Sequence, residues 1–178
     1  QCLETVGIGF MFAPTFHPAM KYAAAPRREI GIRTVFNILG PLTNPAHAKF
    51  QVIGVPSEEL GEKIASVLHR LGTDHSLMVH GRDGMDEISI SGKSLVWDVN
   101  QHRVLPPYEV SPEDFGFEKA NTAEIRGGTA KQNAEILRSI LSGEAGARRN
   151  IVVMNAAAAL VAGNQALDLK EGAHIAKE

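Results

Sequence analysis

The chain has 178 residues, 44% of them hydrophobic and 21% charged, a balance that supports a folded domain with a real core and argues against a disordered chain. Lys+Arg 18 against Asp+Glu 20 leaves a net charge of -2, so no overall basic field recruits nucleic acid, and no apolar run nears the ~20 residues that span a bilayer. Cys2 is the one cysteine, which excludes an intrachain disulfide framework and a multi-cysteine zinc site and suits a reducing, cytoplasmic setting.

The predicted elements begin at once. Gln1 to Val6 reads as a helix end, and Ile8 to Ala13, an apolar run between Gly7 and Pro14, reads as a short buried strand. Pro18 starts a helix through Ala25, a second helix runs from about Arg28 to Leu39, and Gly40 to Pro45 stops it. Phe50 to Val55 is a second strand. The best-defined helix follows, Ser57 to Leu71, with Leu60, Ile64, Val67, Leu68 and Leu71 on one face, Glu58 and Glu59 in its first turn and Gly72 behind it. His75 to His80 is a third strand, so strand, helix and strand form a βαβ unit with parallel strands.

Beyond it, Glu87 to Ile90, Ser94 to Val99 and Arg103 to Leu105 read as a short antiparallel meander, and Pro106 to Thr122 as an irregular connection. Thr129 to Leu141 is a helix whose Thr129 and Gln132 match a capping box, and Asn150 to Ala162 is a helix buried on every side. The expected fold class is α/β: a mixed, mainly parallel sheet with flanking helices and an added antiparallel meander. Gln1 and Ala173–Glu178 each fall inside a helical pattern, so the sequence reads as a piece of a longer protein.

Ligands of parallel sheets collect beyond the carboxyl ends of the strands, and two polar turns fall there. One follows the first expected strand and holds His17, with Arg27 a short helix later. The other is Gly81-Arg82-Asp83-Gly84-Met85-Asp86-Glu87. The adjacent carboxylates Asp86 and Glu87 suit Mg²⁺, which takes one or two carboxylates plus waters and phosphates; a solvated acidic turn is the plainer reading. His17 at a helix start favours an anionic group or simply caps the helix, and Arg27 offers a fork to a carboxylate or is a surface arginine. Gly127-Gly128-Thr129 reads as a turn and cap, and Cys2 has no neighbouring base in the sequence.

Phe16-His17-Pro18-Ala19-Met20-Lys21 and the run Arg27-Arg28-Glu29-Ile30-Gly31-Ile32-Arg33-Thr34-Val35-Phe36-Asn37-Ile38-Leu39-Gly40-Pro41-Leu42-Thr43-Asn44-Pro45 closely resemble the anthranilate phosphoribosyltransferases of tryptophan biosynthesis. Asp83-Gly84-Met85-Asp86-Glu87, Gly127-Gly128 with Asn133-Ala134, and Asn155-Ala156-Ala157 continue the resemblance in order. It implies a phosphoribosyltransferase/nucleoside phosphorylase-like α/β domain. The implied reaction moves the phosphoribosyl group of phosphoribosyl pyrophosphate onto anthranilate, with Mg²⁺ as cofactor and pyrophosphate released. On this resemblance Arg27 contacts the anthranilate carboxylate, His17 and Met20 line its channel, Gly40 and Pro41 form the turn beside the ring, and Asp86 and Glu87 hold Mg²⁺. No general base is assigned.

The family's Gly-Thr-Gly-Gly-Asp loop, Asn-Val-Ser-Thr segment and Lys-His-Gly-Asn segment occur nowhere in this sequence. The expectation is therefore that residues 1–178 are an incomplete large α/β domain. The small N-terminal helical domain, through which the parent forms a homodimer, is mostly missing, as is the last helix. The isolated chain is then inactive, with partners limited to the two small-molecule substrates in a cytoplasmic parent. Two rival readings are a pyrimidine nucleoside phosphorylase relative and a non-catalytic α/β binding or scaffold domain.

Overall fold

The computed structural model describes residues 2–16, 22, 29, 31, 40, 42–44 and 46–178, and the chain divides into two units, Gln1–Ala48 and Lys49–Glu178. In the first unit α1 spans Cys2–Val6 and ends at Gly7, whose φ of 80° lets its N–H turn back to the Leu3 carbonyl at 3.0 Å. The strand expected at Ile8 to Ala13 is not formed. Residues 8–12 have no regular structure and are exposed, Phe10 and Phe12 stacking with ring centres 6.5 Å apart, and Ala13 already belongs to α2, Ala13–Phe16. Pro14 thus sits in the first turn of a helix, where its missing N–H costs nothing, and an apolar run needs a neighbouring strand to pair with before it becomes one. Among the described residues of this unit there is no strand. The helices expected over 18–25 and 28–39 lie largely outside the described residues. Gly40 and Leu42 are helical, so the expected stop falls at Thr43.

The second unit carries a mixed four-stranded sheet in the order β1-β2-β3-β4: β1 Phe50–Gly54, β2 His75–Gly81, β3 Ser94–Asn100 and β4 Tyr108–Val110. β1 and β2 are parallel, with Phe50 opposite His75, and are joined by α3, Glu58–Leu71. This βαβ unit follows the expected one closely, because its punctuation is local: the Ser57 side chain accepts from the Leu60 N–H, and Gly72 at φ 77° closes the helix. β3 and β4 add antiparallel to β2.

The meander differs in detail from the expected one. The segment at Arg103 to Leu105 makes a single bridge, Val99 to Val104, and the third antiparallel strand is β4, within the stretch read as an irregular connection. Glu87 to Ile90 is not a strand either. Its alternation of buried Ile88 and Ile90 is real, but side chains meet the backbone of residues 88 and 89: the Ile88 N–H donates to Asn155 Oδ1 and the Ser89 N–H to Ser94 Oγ, each at 2.9 Å. Alternation records which side chains are buried; a strand also needs a backbone opposite it.

Helices cover both faces of the sheet. On one side Leu77, Val79 and Val96 join Val153, Met154, Ala157 and Ala158 of α5, Ala147–Ala162, in the main core. On the other, Met78 and Trp97 are opposite partners in the β2–β3 ladder, and Gly61 of α3 lies against the Trp97 ring, where a Cβ would come within 2.6 Å. α4 is Ala130–Leu141, capped by the expected Thr129–Gln132 box, and α6 is Leu169–Ile175. Gly172 of α6 packs on Ala157 so closely that a Cβ would meet its carbonyl at 2.8 Å. Small residues on α5 thus serve two helix and sheet contacts at once, which explains the alanine run.

Candidate functional site

β1 ends at Gly54, opposite Val79, and β2 runs two residues further to Gly81; the β2–β3 connection of residues 82–93 rises from that carboxyl edge. A turn builds its first half: the Gly84 N–H donates to the Gly81 carbonyl and the Gly81 N–H to the Met85 carbonyl, both at 2.8 Å. Gly84 has φ 94°, a conformation only glycine adopts at little cost. Buried Ile88 and Ile90 anchor the second half in the core, and the Ala120 N–H donates to the Ile90 carbonyl at 3.1 Å. At the rear, buried His80 hydrogen-bonds the Val55 carbonyl through Nδ1 at 2.9 Å, tying the exit of β1 to β2.

Three carboxylates sit in this loop with distinct environments. Asp83 accepts from the hydroxyls of Ser89 and Ser91 through one oxygen and from the Met85 N–H at 3.2 Å through the other. Partial burial pushes its carboxyl up, but these donors outweigh burial and hold it below the ordinary aspartate value. Asp86 is exposed, and its backbone carbonyl lies directly on Gly54, where a Cβ would stand 1.7 Å from the oxygen. Glu87 is half-buried. Burial pushes its carboxyl above the ordinary value, with the charges of Asp86 and Asp83 adding to the rise.

The loop's basic residues do not neutralise that pair. Arg82 reaches away to Glu58 in the first turn of α3 and to Glu109 of β4, at 3.0 Å in the latter case, and Lys93 donates to Glu109 at 2.7 Å. Two hard oxygen donors, with Asp83 already satisfied and no ion pair to either among the described residues, are a set that fits a divalent ion such as Mg²⁺, which keeps waters and completes its shell with phosphate oxygens. Consistent with so open a site, no three His, Cys, Asp or Glu side chains close on a metal position among the described residues.

Beside Glu87 a groove of about 350 Å³ runs between α4 and α5, lined by Gly127, Asn133, Leu137, Arg148 and Val152. Asn133 Oδ1 accepts from the Gly128 N–H at 2.7 Å, so Gly127-Gly128 is the turn and cap that its sequence indicates. Of the residues singled out in the sequence, Asp86 and Glu87 therefore come together on one described loop. Gly40 is half-buried in the first unit, and His17, Met20, Arg27 and Pro41 lie outside the described residues. Two contributors lie outside the site residues singled out in the sequence: Gly54, which any strand end could contain, and Asn155, one of two asparagines of α5, which entered only as part of the resemblance.

The chain matches the glycosyl transferase family, a/b domain, over residues 1–178. It belongs to that family. It is 53% identical over 178 residues to the anthranilate phosphoribosyltransferase of Dehalococcoides mccartyi, an alignment covering 99% of this chain and 52% of that protein. The crystal structure of anthranilate phosphoribosyltransferase from Thermus thermophilus superposes with a TM-score of 0.91 at 40% identity, covering 99% of this chain and 52% of the other. The Saccharomyces cerevisiae enzyme in complex with PRPP and Mg superposes with a TM-score of 0.85 at 32% identity, covering 95% and 49%. The chain thus spans about half the length of the curated relatives it matches. The α/β fold class is that of these neighbours, and neither a nucleoside phosphorylase nor a scaffold reading gains support from them. Among the described residues no helix is long and apolar enough to cross a membrane.

Proposed function

We propose that this chain forms the α/β part of an anthranilate phosphoribosyltransferase. The enzyme transfers the phosphoribosyl group of phosphoribosyl pyrophosphate to the amine of anthranilate, giving N-(5-phosphoribosyl)anthranilate and pyrophosphate. The observation that carries this reading is the Asp86–Glu87 pair, unpaired with any basic side chain of its loop at the carboxyl edge of the sheet, in a chain half identical to enzymes of that name.

In this reading Asp86 and Glu87 hold Mg²⁺ against the phosphates of the donor. The bound ion supplies neutralisation of the charge that gathers on pyrophosphate as it leaves. Burial, with the charges of Asp86 and Asp83, raises the Glu87 pKa, and a bound cation would lower it. Arg27 grips the anthranilate carboxylate, His17 and Met20 line its channel, and Gly40 and Pro41 lie beside the ring. An aromatic amine is neutral at pH 7, so orientation against the sugar carbon does most of the work and no strong general base is required.

The Gly-Thr-Gly-Gly-Asp cradle for pyrophosphate is absent from these 178 residues, so the same proposal makes the chain inactive by itself. It places the enzyme in the cytoplasm and its homodimer contacts in helices outside this sequence. The test is an anthranilate-fluorescence assay with phosphoribosyl pyrophosphate and Mg²⁺. It is run on the chain alone and on a chimera in which the chain replaces the matching half of a full-length relative. Mg²⁺-dependent loss of fluorescence in the chimera alone supports the proposal. A folded chimera that turns over thymidine with phosphate, or nothing, overturns the reaction, and turnover by the chain alone overturns its inactivity.

A further inference from the structure

We propose that Asn155 is a positioning residue for the Asp86–Glu87 pair, acting through the backbone of Ile88; the inference rests on the reading of that pair as the cation site. Asn155 sits mid-way along α5, in the stretch 151–162 that is otherwise apolar. A polar side chain there is costly unless each of its groups is satisfied. Here each is. Oδ1 accepts from the Ile88 N–H at 2.9 Å, while Nδ2 donates to the Ile88 carbonyl and to the Ile151 carbonyl of its own helix, each at 3.0 Å.

The primary amide thus offers Ile88 one donor and one acceptor, as a neighbouring strand would, in place of a strand backbone opposite that residue. The Ile88 side chain is fully buried beneath. Residue 88 is therefore held at its N–H, its carbonyl and its side chain, and Glu87 is joined to it by one peptide bond. On the other side the Asp86 carbonyl rests on Gly54 of β1. The two carboxylates are clamped between a helix and a strand end, leaving their side chains to reach outward. Removal of a group that orients metal ligands from behind typically weakens metal binding roughly 10–100-fold.

The test is Mn²⁺ titration of the ¹⁵N-labelled chain, following paramagnetic broadening of backbone amides, with Asn155→Ala, Asn155→Asp and the core variant Gly61→Ala, which meets Trp97 and not residues 86–88. Asn155→Asp keeps the shape and the acceptor for the Ile88 N–H but loses the donor to its carbonyl. The expected result is selective broadening at Asp86 to Ile88 in the unmodified chain, shifted to at least about tenfold higher Mn²⁺ in both folded Asn155 variants and not in Gly61→Ala. Unchanged midpoints in either folded Asn155 variant overturn the inference and leave the cation reading standing. An absence of selective broadening in the unmodified chain overturns the cation reading and the inference with it. Should neither variant fold, hydrogen exchange in the unmodified chain decides: an Ile88 amide exchanging as fast as the exposed turn at Gly84 overturns the clamp, and slow exchange supports it.

Discussion

Gly54→Ala is the sharpest probe of how the sheet edge shapes the acidic loop. A Cβ built on Gly54 stands 1.7 Å from the Asp86 carbonyl oxygen and 2.8 Å from its carbon, whereas real Cβ atoms essentially never approach within 3.0 Å of another heavy atom. The obstacle is backbone on both sides, so no flexible side chain can swing aside, and the loop must retreat by more than an ångström. Overpacking of this kind costs about 1–3 kcal/mol, or about 2–4 °C in Tm for each kcal/mol in a chain of this size. Carboxylate ligands need placement within about 0.5 Å, so the cation site suffers as well, by roughly tenfold or more in affinity. The assay pairs thermal unfolding with Mn²⁺ titration and includes two controls. Gly92 lies in the same loop with nothing within 4 Å of its would-be Cβ, so Gly92→Ala changes neither readout. Gly61→Ala meets Trp97 at 2.6 Å, away from the Gly54–Asp86 contact; it lowers stability, partly offset by the ~1 kcal/mol that alanine gains over glycine in a helix, and leaves Mn²⁺ binding alone. A Gly54→Ala protein with unchanged Tm and unchanged Mn²⁺ affinity would refute the reasoning.

Other outcomes follow from the charges of the site. Because the folded-state pKa of Glu87 is raised, the metal-free protein loses stability as pH climbs from the ordinary glutamate range through the folded value. Glu87→Gln should therefore raise Tm at pH 7 and leave it unchanged below about pH 4, the ordinary range of an unperturbed glutamate; equal Tm values at both ends would contradict the assignment. Asp83 has the opposite sign: its lowered carboxyl stabilises the fold above the ordinary aspartate value, and that contribution is lost as pH falls through the folded value. Asp83→Ala removes the shared acceptor of the Ser89 and Ser91 hydroxyls, which keep each other at 3.0 Å, and should cost about 1 kcal/mol near neutral pH, read by urea unfolding, with the gap closing in acid. In a chimera carrying this chain, Arg27→Ala should raise the Michaelis constant for anthranilate far more than that for phosphoribosyl pyrophosphate; equal increases would count against the carboxylate contact.

What could be read from residues alone was whatever is punctuated locally. Ser57 and Gly72 bracket α3, Thr129 and Gln132 open α4, and the apolar face of α3 places the parallel pair on either side of it. The place of Asp86-Glu87, the pair proposed to hold a cation, was legible for the same reason, in a glycine-containing turn at the end of a strand. Misreadings arose where partners decide. Ile8 to Ala13 has the composition of a strand and nothing described to pair with, while Glu87 to Ile90 has the alternation of one and side-chain amides and hydroxyls for partners. Tyr108–Val110, flanked by prolines, looks like a loop until β3 is beside it.

The sequence by itself thus determined the βαβ unit, its caps and the pair of carboxylates, because each depends on neighbours a few residues away. Only the tertiary structure decided that Asp83 is satisfied by serines while Glu87 is left with a raised pKa, that Arg82 turns to Glu58 and Glu109, and that Gly54 and Asn155 hold the loop from two sides. Asn155 and Ile88 are 67 positions apart along the chain, and hydrogen bonds and close contacts over such separations have no local periodicity to announce them.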